Sequence, residues 1–398
     1  MSARIMADPW LTIIGIGEDG LAGLSEASRK ALATAETVFG GERHLALAGV
    51  TGRGRAWPVP FDADVVLGCR GRPTAVLASG DPFWHGAGAS LAEKLDAGEW
   101  IAHSAPSTFS LAAARLGWRL ESAVCLGLHA APCERLVPHL ARGARIICLV
   151  RDGKAAGELA KWLTERGWGA SAFWTLGALG GPRESVNEHR ADSFAGDVAG
   201  NLVAVAVEAR GAQGLPRSSG LSDDLFVHDG QITKRPVRAL ALSTLAPRPG
   251  ERLWDIGAGS GSISIEWALS GGTAIAVEAR EDRAANIRSN AAAFGLAHRI
   301  TVITGKAPEA LAALETPDAV FIGGGLDIAM FDTVWSRIVP GTRLVAHAVT
   351  LETEALLGEL HQRHGGDLMR VEIAHAAPLG RYRSWEAARP VVQWSAIR

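Results

Sequence analysis

The 398-residue chain has no excess of either charge: 40 Lys and Arg against 42 Asp and Glu leave a formal net charge of −2. That balance excludes a global basic field able to hold nucleic acid or an anionic membrane, so an anionic ligand has to meet a local cluster. Cysteine is scarce. Cys69, Cys125, Cys133 and Cys148 are widely spaced and form no C-x-x-C pair, which argues against zinc and against a disulfide framework and fits reduced thiols in a cytosol. Long apolar runs are missing too, since stretches such as 146–150 have the length of a strand and fall far short of the roughly 18–20 residues that cross a bilayer. The N-terminal LTIIGIG lacks a basic flank, a long apolar region and a cleavage site, and reads as a first strand. These absences lead us to expect a soluble, cytoplasmic protein with no metal, membrane or nucleic-acid partner.

What is present is ordinary for a globular enzyme: 47% hydrophobic and 21% charged residues. The length exceeds what one core usually serves and suggests two or three domains. Strand-like runs alternate with helix-period segments: LTIIGIG with SEASRKALATAETVF, TAVLAS with GASLAEKLDAG, RIICLV with AAGELAKWLTERG. Such alternation marks parallel α/β architecture. The stretch from 210, RGAQGLPRSSGLSDD, concentrates Gly, Ser, Pro and charge, so we expect a domain over 1–209, a linker over 210–228 and a second domain over 229–398. In the latter, helix RPVRALALSTLA precedes strands RLWDIG, TAIAVEA, ITVITG, DAVFIGG and TRLVAHA, an order that fits a doubly wound sheet with a crevice at the carboxyl ends of its strands.

The chemistry-bearing signal in that second half is DIGAGSG, residues 255–261. Asp255 closes a strand, Gly257, Gly259 and Gly261 follow at alternate positions with Ala258 and Ser260 between them, and a helix begins at once. Dinucleotide loops carry G-x-G-x-x-G and set a pyrophosphate on the helix N-terminus. An acid two residues ahead would repel pyrophosphate, yet it can support the ammonium of a methionyl group, so the loop favours S-adenosylmethionine over NAD. Helix capping is the competing role for Asp255. Glu278, about twenty residues on, ends the next strand, where a carboxylate can accept both hydroxyls of a ribose or stand solvated. In GKAPEAL, Lys306 and Ala307 follow the next strand, where an adenine would lie. Enzymes that methylate base amines usually carry Asn or Asp followed by Pro-Pro-aromatic after the fourth strand. Here Gly323, Gly324 and Gly325 stand instead, leaving room for a large substrate, or forming a plain turn.

The stretch from GLSDDLFVHDGQITKRPVRALAL through DIGAGSGSISIEWA, with GKAPEAL and DAVFIGGG, resembles the C-terminal domain of the precorrin-6Y C(5,15)-methyltransferase (decarboxylating) family over nearly all of residues 220–398. The resemblance implies a Rossmann-like class I methyltransferase fold and places Thr233 near the methyl donor. LASGDPFWHGAG (77–88) and APSTFSLAAARLGW (105–118) resemble the tetrapyrrole methylases, a bilobal α/β fold that holds a folded S-adenosylmethionine in the cleft between its lobes. Gly80, Asp81, Pro82 and Gly86 match that family's turn; Ser107 and Thr108 are donor contacts on this reading, or helix N-caps on the plain one. The glycines Gly15, Gly17 and Gly20 also spell a dinucleotide loop, but Glu36, the acid at the right distance, sits in a helix-like stretch. Where the family's first loop often has proline this chain has Glu18, which bears on substrate contacts.

The resemblance further implies methylation of carbon 5 of a tetrapyrrole by the first domain, and of carbon 15 with loss of the ring C acetate carboxylate by the second. It also implies about one S-adenosylmethionine per domain, a role in cobalamin biosynthesis giving precorrin-8, and a homo-oligomer. An electron-rich reduced tetrapyrrole and a sulfonium methyl need little acid–base machinery, so no catalytic residue is assigned. The substrate's carboxylates call for arginines; Arg43 and His44, and Arg381, Tyr382 and Arg383, are the candidates, each with an ordinary surface role as the alternative. An RNA methyltransferase with an accessory domain and an NAD-dependent oxidoreductase are the competing functions.

Overall fold

The computed structural model describes residues 9–194, 196 and 203–398, so part of the expected first domain lies outside the described residues. The chain divides into two compact units, one of residues 1–133 and 139–213, the other of 134–138 and 214–398.

The first unit contains two sheets. In one, the strands Gly54–Ala56, Thr37–Gly40, Thr74–Ser79, Leu11–Ile16 and Trp100–His103 lie side by side, all parallel. Thr74–Ser79 reads as a continuous apolar run because both its faces are covered, leaving only Ser79 exposed. In the other, Ala123–Gly127 and Arg145–Leu149 are parallel, while Val203–Glu208, Ala172–Gly177 and Ser185–Arg190 continue the sheet in antiparallel pairs.

One expected element changes. SEASRKALATAETVF is not a single helix: Ser25 caps a helix that runs Glu26–Thr34, and Thr37–Gly40 then joins the parallel sheet. The buried, β-favouring Val38 and Phe39 explain the switch, since their side chains fill both faces of that sheet. Glu36 therefore lies ahead of a strand rather than in a helix, and still not at a strand's carboxyl end.

The second unit is built on a seven-stranded sheet in the order Ile300–Thr304, Thr273–Glu278, Arg252–Ile256, Ala319–Ile322, Arg343–Ala348, Val391–Ile397, Asp367–Val371. Only Val391–Ile397 runs against its neighbours. From Arg252–Ile256 the chain winds outward through two strands and then returns to the other side at Ala319–Ile322. The crevice between these two carboxyl ends is the topological switch point at which such sheets bind ligands. Hydrophobic clusters fill both faces, one around Trp267, Phe294 and Phe321, the other around Trp254, Phe331 and Trp394. Ala374–Leu379 and Tyr382–Ala387 form a separate hairpin. The whole is α/β, bilobal in the first unit and doubly wound in the second.

Candidate functional site

At the switch point of the second unit, the loop after Arg252–Ile256 turns tightly because Gly257, Gly259 and Gly261 all take positive φ. Gly261 is also sterically required: a Cβ there would stand 2.7 Å from Ile287. The loop delivers the chain into the helix Ser262–Leu269. Asp255 is buried, and its Oδ2 accepts from the Ser264 amide at 3.2 Å and the Ser264 hydroxyl at 2.6 Å. Its Oδ1 has no protein partner. Burial pushes this carboxyl up to about 6, against the pull of the Ser264 bonds, with nearby Glu278 adding to the rise.

Glu278 closes the adjacent strand. Its Oε2 accepts from the Gly259 amide at 2.9 Å and its Oε1 from the Arg280 amide at 3.0 Å. Each oxygen keeps acceptor capacity, and Glu278 forms part of the wall of a cavity of about 1210 Å³. That wall also holds Thr233, Ile256–Gly259, Lys306, Ala307 and the Gly323–Gly325 turn. Asp255 is not itself a wall residue; it lies behind the loop.

The segment bearing Thr233 is fixed by a buried ion network. Arg238 is fully buried and donates from Nε to Glu266 Oε1 at 2.6 Å and from Nη1 to Asp223 Oδ1 at 3.0 Å and to the Thr233 carbonyl at 2.5 Å. Glu266 in turn accepts the Gly220 and Leu221 amides. Every charge in this cluster is paired, the condition under which buried ions are tolerated. His347, on Arg343–Ala348, is buried in the cavity wall with Nε2 2.9 Å from Gln393 Oε1, and Gln393 donates onward to Thr244 at 3.0 Å.

In the first unit a smaller cavity, about 370 Å³, is walled by Glu18, Arg43, His44, Ser79, Gly80, Gly86, Ser107, Thr108 and His129 among others. Glu18, 8% exposed, pairs with Arg43 and lies 3.7 Å from Arg183. Arg43 also donates to Ser79 Oγ at 3.0 Å, which His44 Nε2 approaches at 2.8 Å. Burial, reinforced by the Arg43 charge, pulls His44 down to about 4, so the ring is neutral at physiological pH.

Two family models match the chain: Tetrapyrrole (Corrin/Porphyrin) Methylases over residues 10–193 and a Precorrin methyltransferase domain over 224–398. A curated relative from a Sinorhizobium species, a precorrin-6Y C(5,15)-methyltransferase [decarboxylating], is 47% identical over 99% of this chain and 98% of its own length. The chain belongs to that family. A second member, from Mycobacterium tuberculosis, is 40% identical over 98% of this chain and the whole of the relative. Among solved structures, the C-terminal domain of the Rhodobacter capsulatus precorrin-6Y C5,15-methyltransferase is 56% identical, covering 46% of this chain and all of that one, with a TM-score of 0.46.

Of the expected site residues, the structure gathers most but not all. Thr233, Gly257–Gly259, Glu278, Lys306, Ala307 and Gly323–Gly325 share the larger cavity; Arg43, His44, Gly80, Gly86, Ser107 and Thr108 share the smaller. Asp81 and Pro82 are outside the wall and build the turn instead. Asp81 Oδ1 accepts the Phe83 amide at 2.9 Å, and Pro82 O accepts from Gly88. Ser107 lines the cavity and also caps the helix Thr108–Leu116, its hydroxyl accepting the Ser110 amide at 3.1 Å. Ser260 is buried behind the loop. Arg381, Tyr382 and Arg383 lie exposed at the far end of the hairpin, away from the cavity wall, to which the hairpin's base contributes His375 and Arg389.

Gly15 has a packing role: a Cβ there would stand 1.9 Å from the Gly80 carbonyl, so the first glycine lets two strand ends meet. The glutamate in place of the family's proline supplies the counter-charge to Arg43. Sequence reasoning missed Arg238, Glu266, His347, Gln393 and Arg389. Arg238 had a faint signal, an arginine on the buried face of an amphipathic helix, and the others had none.

Proposed function

We propose that each unit carries one S-adenosylmethionine site, and that the pair methylates precorrin-6Y at carbon 5 in the first unit and at carbon 15 in the second. The second unit would also remove the carboxylate of the ring C acetate, giving precorrin-8 for cobalamin synthesis. Residues 1–209 and 229–398 are the two catalytic domains on this reading, and the enzyme is a cytoplasmic homo-oligomer.

The observation that carries the reading is Glu278, held by two backbone amides in the wall of the switch-point cavity with acceptor capacity to spare for a ribose diol. Behind the loop, the unsatisfied Oδ1 of Asp255 offers negative charge to a methionyl ammonium in a poorly screened setting. Thr233, Lys306 and Ala307 complete the donor's surroundings, and the open Gly323–Gly325 turn admits the macrocycle. In the first unit, Gly80, Gly86, Ser107 and Thr108 receive the donor, and Arg43 meets a substrate carboxylate.

When bound, S-adenosylmethionine supplies an electrophilic methyl on a positively charged sulfur. The protein's part is alignment and exclusion of water, which together lower a barrier by several kcal/mol. Burying the ring C acetate beside the conjugated macrocycle favours loss of carbon dioxide, because the carboxylate loses its hydration while the electron pair has an imine to enter. Incubating the full chain with precorrin-6Y and S-adenosylmethionine should give a product heavier by two methyl groups and lighter by one carbon dioxide on mass spectrometry. Equilibrium dialysis should find about two donor molecules per chain. A product with intact acetates, or with no added methyl, would refute the assignment.

A further inference from the structure

The fold places an imidazole level with the glycine turn. His347 lies on Arg343–Ala348, which pairs with Ala319–Ile322 in the register Ile322↔Ala346, so His347 is level with Gly323, the first residue of the turn. Its ring is fixed on two sides. Phe321 meets it edge to face at 4.9 Å, and Nε2 lies 2.9 Å from Gln393 Oε1. The amide of Gln393 is oriented by its own donation to Thr244 Oγ1 at 3.0 Å, which turns its oxygen toward His347. Nε2 is therefore the protonated nitrogen and Nδ1 carries the lone pair. Burial, against the Gln393 bond, holds the ring below the usual histidine range and so neutral. His347 is part of the cavity wall.

Resting on the reading of the second unit as the carbon-15 site, we propose that His347 is its proton-transfer residue, with Nδ1 taking the proton that leaves carbon 15. The balance is simple. Carbon 15 gains a methyl as the sulfur–methyl bond breaks and sulfur keeps the electron pair. The carbon–hydrogen bond at carbon 15 then breaks, its electron pair restores conjugation, and Nδ1 binds the proton. At ring C the carbon–carboxylate bond breaks, carbon dioxide leaves, and the methylene carbon needs one proton to become methyl. The imidazolium formed in the first step holds that proton, so one residue serves both steps and returns to its neutral form. Gln393 and Thr244 are positioning residues that select the tautomer.

The test compares wild-type full-length protein with His347→Gln, whose side-chain amide can keep a hydrogen bond to Gln393 but has no basic nitrogen. Expected is unchanged S-adenosylmethionine binding by calorimetry with carbon-15 methylation and decarboxylation both slowed about a hundredfold or more, the size expected for a lost general base. Thr244→Val should slow both steps less. Methylation or decarboxylation within threefold of wild type in His347→Gln overturns the proposal, and so does loss of donor binding, which would make His347 a structural part of the sheet. Failure of the wild-type chain to bind the donor or to methylate carbon 15 would instead count against the functional reading beneath it.

Discussion

At the scale of single residues the second unit sets two carboxylates in contrasting environments. Glu278 faces the cavity with both oxygens bonded to amides, whereas Asp255 is enclosed and has one oxygen unsatisfied. Because burial raises Asp255 to about 6, the folded chain holds its proton more tightly than the unfolded chain does. That group's contribution to stability is present below the ordinary range near 3.8 and is lost as pH rises through about 6. A cationic methyl donor prefers the ionised carboxylate, so its affinity for the second unit should strengthen as pH rises toward 6 and level off above, by up to about tenfold per pH unit on the acid side. Calorimetry at about pH 5 and about pH 7.5 measures this, and Asp255→Asn should flatten the dependence of that site. A dependence that persists in the variant would show that another group is responsible.

Elements differ in how far local pattern foretold them. The strand–glycine–helix unit at 252–269 and the acid at the end of the next strand were legible because each rests on neighbours within one βαβ unit, where spacing fixes geometry. The run through Thr37 was misjudged because helix-forming alanines precede it, and only tertiary burial of Val38 and Phe39 makes it a strand. The Arg238–Glu266 pair spans 28 residues and the His347–Gln393 pair 46, distances bridged by sheet order rather than by any periodicity. The hairpin Ala374–Leu379/Tyr382–Ala387 has the same limit: both strands are exposed almost throughout, so no local burial pattern shows which end faces the cavity. Arg381 and Arg383 are at its exposed tip and Arg389 at the cavity. Arg389→Ala should therefore raise the apparent substrate constant of the carbon-15 step about tenfold or more, the worth of a charge-assisted hydrogen bond, with the donor constant unchanged. Arg381→Ala and Arg383→Ala should each raise it by less. A larger effect at the tip would mean that the hairpin folds over bound substrate.

On the scale of the whole molecule, the two cavities draw their walls from separate units, every residue of the smaller from 1–133 and 139–213 and every residue of the larger from 214–398. Two sites without a shared residue can be disabled one at a time, and the chemistry fixes what each loss leaves behind. On the proposed reading Glu278→Ala removes the anchor for the ribose in the second unit and leaves the first untouched, so dialysis should find about one donor molecule per chain in place of two. With precorrin-6Y the variant product should gain one methyl, at carbon 5, and keep its acetate carboxylate. Arg43→Ala should do the converse, impairing the carbon-5 methylation while the second methyl is still added and carbon dioxide still lost. Mass spectrometry reads both patterns directly, since a methyl adds mass and a decarboxylation removes it. If Glu278→Ala instead abolished both methylations, either the first unit would require the decarboxylated intermediate as its substrate or the units would share one donor. Dialysis separates these: one donor retained means the first unit waits on the second, and none retained means that the two-site reading is wrong.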